Sequence, residues 1–144
     1  MRRASVSIAV AAVCAAVVSG CGDDDEDPQV DAVAETYTTY IEAVKDGDGE
    51  AACRLLAPEL RRTVADSIAL GTREELKGAT CEQAVSQGTL PQLQQVEPNL
   101  EQIEDDGRRA SGLDPGEGPI GPQEVFFERI GGDWKISRTV FFRQ

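Results

Sequence analysis

Apolar residues recur at alternating steps of three and four from Val30 through Val33, Tyr37 and Tyr40 to Val44, with Ala34 and Ile41 in the same stripe. That period marks an amphipathic helix with one buried face. Asp27-Pro28 supplies an N-cap followed by proline at the first helical position, and Gly47 ends the helix. Asp48 caps a second helical stretch whose apolar positions are Ala52, Leu55, Leu56, Leu60, Val64 and Ile68. Pro58 should divide it into a short helix and a longer one, because a proline lacks the N–H that the helix interior needs. Gly71 stops the longer piece. Thr72-Arg73-Glu74-Glu75 and Thr80-Cys81-Glu82-Gln83 both have capping-box form, and the second leads into a short helix ending near Gly88.

From residue 89 the period changes. Pro91, Pro98, Pro115, Pro119 and Pro122 rule out a long helix. Leu100 to Glu104 and Arg108 to Leu113 flank Asp105-Asp106-Gly107 and read as a β-hairpin, followed by a surface loop, DPGEGPIGP. The final segment, EVFFERIGGDWKISRTVFFRQ, holds two β-rich runs around Gly131-Gly132. With those glycines as the loop, Arg129 faces Trp134, Glu128 faces Lys135 and Phe127 faces Ile136. Opposite charges then pair, and Val125, Phe127, Trp134 and Ile136 share one face. Val140 and Phe142 continue that face by alternation, and so does Arg138. A bulge or a snorkelling guanidinium would account for Arg138. The alternative is a cation aimed into a concave interior, paired with an acid or an anionic ligand.

The N-terminus has a different character. Met1-Arg2-Arg3 is basic, and Val6 to Val18 is apolar apart from Ser7. This run is too short for a hydrocarbon core, which takes about 20 residues, and fits the apolar region of an export signal. It ends in Val18-Ser19-Gly20-Cys21, which resembles the lipobox of bacterial lipoproteins. The resemblance implies that residues 1–20 are removed and that Cys21 takes a diacylglyceryl group through its thiol. The implied location is the outer, extracytoplasmic face of the cell membrane, with the lipid as the anchor, since acyl chains on one residue hold a protein there without crossing.

Composition narrows the partners. The formal net charge is −12, and loss of Arg2 and Arg3 would make it more negative. Such a surface repels phosphate backbones, so nucleic acid is not an expected partner. Residues 21–27 carry the lipidated cysteine and an acidic run that reads as a solvated tether. Residues 28–144 are expected to form one domain. DGDGE, Asp46 to Glu50, resembles the start of an EF-hand loop, but Ala51 and Ala57 stand where that loop needs glycine and glutamate. No metal site and no cofactor are expected.

The lipobox leaves two cysteines to explain. With Cys14 removed and Cys21 acylated, Cys53 and Cys81 are an even pair in an oxidising compartment, most simply a disulfide. There is no histidine in the chain to serve as a metal partner or as the base of a cysteine nucleophile.

Helices first and an antiparallel sheet after them make an α+β arrangement. The long first helix, the Gly-Asp turn, the ACRLLAPELR helix, the Cys-bearing helix and the GGDWKI hairpin together resemble the NTF2-like superfamily, and within it small bacterial envelope lipoproteins. The resemblance implies a curved sheet wrapped round the first helix as an open cone. That family contains isomerase- and dehydratase-type enzymes, yet no catalytic residue carries over here, and the chain is not expected to be an enzyme. The expected role is a non-catalytic accessory or interaction domain with an envelope protein partner. The alternative is a binder of a small apolar or anionic ligand in the cone, lined by Tyr37, Tyr40, Trp134 and Arg138. The tyrosines also fit a plain core stripe.

Overall fold

A computed structural model of the chain describes residues 27–71, 78–88, 96–116 and 121–142, the side chains of 67–71 and 88 excepted. The leader, Cys21, the tether as far as Glu26 and the Thr72 capping sequence lie outside the described residues. Four helices come first: α1 (Pro28–Asp46), α2 (Gly49–Arg54), α3 (Pro58–Gly71) and α4 (Cys81–Gly88). Four strands follow, β1 (Glu101–Asp105), β2 (Arg109–Asp114), β3 (Gln123–Ile130) and β4 (Asp133–Phe141), in a single antiparallel sheet of order β1-β2-β3-β4. The fold is α+β. No helix among the described residues is long and apolar enough to cross a membrane.

The helix limits follow from their caps. The Asp27 carboxylate accepts the Gln29 N–H at 2.9 Å, and Gly47 closes α1 in the left-handed region at φ 70°. A side chain at that φ would strain against the backbone, which is why glycine stands there. Asp48 accepts the Ala51 N–H at 2.9 Å and starts α2. At α4 the capping box is reciprocal. Gln83 N–H donates to Thr80 Oγ1 at 3.3 Å, and Thr80 N–H donates to Gln83 Oε1 at 3.1 Å.

The core forms where α1 lies on the sheet. Val33, Tyr37, Ile41 and Val44 of α1 are buried together with Val125 and Phe127 of β3, Ile136 of β4, and Leu56. Tyr40 packs against this cluster half-buried, so the buried stripe of α1 is centred on Tyr37 and Ile41. Leu56 joins the sheet through its backbone. Ala57 N–H donates to Ile136 O, and Ile136 N–H to Leu55 O, both at 2.8 Å. This short parallel bridge covers the outer edge of β4 with the α2–α3 connection.

Cys53 and Cys81 are joined as a disulfide, Cα atoms 6.1 Å apart, and both are buried. The disulfide ties α2 to α4, which meet closely at Gly49. A Cβ there would press on the Glu82 carbonyl oxygen and stand 2.6 Å from Ser86 Oγ. Gly49→Ala should therefore push the two helices apart and destabilise the protein by about 1–3 kcal/mol. Thermal unfolding measures it, and an unchanged Tm would show that α2 and α4 do not approach this closely.

The β3–β4 hairpin has the expected register: Phe127 opposite Ile136, Glu128 opposite Lys135 and Arg129 opposite Trp134. Gly131 and Gly132 both have positive φ, 64° and 98°, as a two-residue hairpin loop demands. Beyond Ile136 the alternation fails. Phe126 pairs with Arg138 while Phe127 pairs with Ile136, so Ser137 is an extra residue, a β-bulge whose hydroxyl donates to Phe126 O at 3.2 Å. The bulge reverses the facing of all that follows. Arg138 is exposed, its guanidinium 4.1 Å from the centre of the Phe126 ring, and Val140 and Phe142 are exposed rather than part of the inner face.

Candidate functional site

Two groups of polar side chains stand apart from ordinary surface. The first is inside. Asp114 ends β2 and Gln123 begins β3, opposite each other in register. Both are buried, at 4% and 5% exposed. The Tyr37 hydroxyl donates to Asp114 Oδ2, Gln123 Nε2 donates to the same oxygen at 3.2 Å and to the Tyr37 hydroxyl at 3.1 Å, and Gly116 N–H donates to Asp114 Oδ1 at 2.8 Å. Burial, reinforced by the Asp114 carboxylate, pushes the Tyr37 phenol far above the ordinary tyrosine range, and burial also raises Tyr40. The surface loop read as DPGEGPIGP thus starts one residue later than that reading has it: Asp114 belongs to the strand and its side chain to the core.

Chemically this group is closed. Each Asp114 oxygen accepts a donor from the fold, and the phenol proton is held by the carboxylate. A general acid or base must reach its substrate directly or through one water, whereas this one is locked between helix and sheet. Its effect is to pin α1 to β2 and β3.

The second group lines a cleft of about 420 Å³ between α1, the β3–β4 turn and the α2–α3 connection. Trp134 and Lys135 of β4 and Arg129 of β3 form one side; Thr36 and Thr39 of α1 lie on the other. Arg129 is held by hydrogen bonds from Nε to Gly132 O at 3.0 Å and from Nη1 to Gln29 Oε1 at 3.2 Å. Its guanidinium lies 5.9 Å from the centre of the Trp134 ring. Lys135 Nζ donates to Arg54 O at 2.9 Å and stands 3.9 Å from Asp133.

The four side chains read from the sequence as a pocket lining do not meet in one cavity. Trp134 lines this cleft, Tyr37 and Tyr40 are core, and Arg138 stands on the outer face of the sheet. Arg138 leaves the interior because of the Ser137 bulge, the first account that its place on the apolar face suggested. Among the described residues, no group of three or more His, Cys, Asp or Glu side chains is placed to hold a metal ion. No protein-family model, curated protein or solved structure matches the chain.

Proposed function

We propose that this protein is a lipid-anchored, extracytoplasmic accessory domain that acts by holding a partner or ligand and not by catalysis. The closure of Tyr37, Asp114 and Gln123 on one another carries this reading: the group most like acid–base machinery has its donors and acceptors spent inside the fold. The cleft beside Trp134 favours a small ligand as what is held. The helices-first order and the antiparallel meander are in keeping with an NTF2-like cone. The Val18-Ser19-Gly20-Cys21 junction supports the anchor.

Metabolic labelling with an alkyne fatty acid, followed by membrane fractionation, tests the anchor. The wild-type chain should take up label and sediment with membranes. Cys21→Ser should lose the label and leave the membrane fraction. An unlabelled wild-type protein, or a Cys21→Ser variant that still carries label, would overturn the proposal.

A further inference from the structure

Helix α1 packs on one face of the sheet, and among the described residues nothing buries the other. Ala110 and Gly112 of β2 and Val125 and Phe127 of β3 are buried on the inner face. The residues that alternate with them are half-buried or exposed. Several are apolar: Leu113 and Phe126 are half-buried, and Val140 and Phe142 are 38% and 46% exposed. A bare sheet face with this much apolar surface marks an interaction surface.

One row of this face runs from an acid to a cation. Glu104 of β1, Ser111 of β2, Phe126 of β3 and Arg138 of β4 stand each opposite the next. Glu104 and Arg138 therefore lie at the two edges of the sheet, three strand spacings or about 14 Å apart. Neither has an ion-pair partner among the described residues. The middle of the row sets small beside large. Ser111 lines a hollow of about 290 Å³ bordered by Glu104 and Phe126, and the Arg138 guanidinium lies over the Phe126 ring at 4.1 Å. The neighbouring row places Arg109 of β2 opposite Glu128 of β3.

We infer that two copies of this chain pair through their outer sheet faces, about a two-fold axis that runs parallel to the strands between β2 and β3. Such an axis sets β1 against the partner's β4 and β2 against its β3, row on row. Glu104 then meets the partner's Arg138, and Arg138 meets the partner's Glu104. Each Arg138 enters the hollow beside the other copy's Ser111, and Arg109 meets the partner's Glu128. The chain has 26 acidic and 14 basic side chains, so two copies repel as wholes. A face that brings them together has to pair its charges, and these two rows do. Four strands of about six residues offer roughly 20 by 20 Å on each copy. That is the small end for a specific interface, so a micromolar dimer is expected. The pairing needs neither the lipid anchor nor the cleft beside Trp134.

Sedimentation equilibrium of the full chain, in an excess of density-matched detergent micelles, measures the association over about 5–200 µM. The wild type should pass from monomer to dimer across this range. Glu104→Arg and Arg138→Glu, both at exposed positions, each oppose like charges twice and should weaken the dimer at least about tenfold. Mixed in equal amounts, the two variants should pair with one another and recover the wild-type affinity. Both contacts across the axis then join an acid to a cation, and recovery also shows that each variant is folded. A wild type that stays monomeric throughout would overturn the inference and leave the face to a different protein. So would single variants that associate as tightly as the wild type, or a mixture no tighter than its components.

Discussion

Breaking the Cys53–Cys81 disulfide should lower the unfolding free energy by about 3–4 kcal/mol. The two cysteines are 28 residues apart in sequence, and in the chain-entropy account a link across a loop of that length removes freedom mainly from the unfolded ensemble. A domain of this size has only about 5–15 kcal/mol in hand, so the loss is a large share and should move Tm down by on the order of 10–20 °C. Urea unfolding of oxidised protein against a Cys53→Ala/Cys81→Ala variant measures it. An equal midpoint for the two would show that the link contributes nothing.

The weakening should also have a place in the molecule. Apart from the disulfide, α4 is held by Ala84 and Val85, both buried, and by the Gly49 N–H donating to Ser86 Oγ at 3.3 Å. A helix of 8 residues depends on such tertiary packing for its stability. In the double variant, hydrogen exchange should rise first in α4, ahead of α1 and β3. Because the sulfurs are buried in the folded state, a thiol reductant should open the disulfide only as fast as α4 detaches.

Local chemistry made much of this arrangement legible in the sequence. Asp27 with Pro28, Gly47 with Asp48, and Thr80 with Gln83 each set a boundary through contacts within a few residues, and the structure places helix ends there. The β3–β4 register could be read because charge and burial agreed on one pairing. What could not be read depends on contacts far apart along the chain. Asp114 sits before Pro115-Gly116, which signals a loop, and only its meeting with Tyr37, 77 residues away, makes it a core residue. A bulge was legible because alternation put Arg138 on the apolar face, whereas its position at Ser137 was not. Arg129 and Lys135 looked like ordinary hairpin charges. The cleft appears only when α1 and the Leu55–Ala57 connection come to rest beside them.

The buried cluster gives the other large effect. Asp114→Ala should cost about 3–4 kcal/mol, because it strands the Tyr37 hydroxyl and the Gly116 N–H and takes one acceptor from the buried Gln123. Tyr37→Phe should cost less, about 2 kcal/mol, since the carboxylate keeps Gln123 and Gly116 as donors. The double variant should lose less than the two added together, as neighbours sharing one hydrogen bond do. Additive losses would mean that Tyr37 and Asp114 do not interact.

The same cluster sets the response to alkali, and its sign is fixed by the direction of the shift. Folded Tyr37 and Tyr40 hold their protons more tightly than they do in the unfolded chain, because burial opposes the phenolate. Their contribution is therefore whole below about pH 10, the ordinary tyrosine pKa, and declines as pH rises above it. Each can steepen the loss by up to about 1.4 kcal/mol per pH unit. Tyr37 has the stronger case, since the Asp114 carboxylate adds to its burial. Urea midpoints between pH 8 and 11 should fall steeply above pH 10 in the wild type and less steeply in Tyr37→Phe. Tyr37→Phe would then lose less of its stability to alkali than the wild type, although it starts from a lower value at pH 8. Parallel declines would place the Tyr37 phenol in water and break the link between α1 and Asp114.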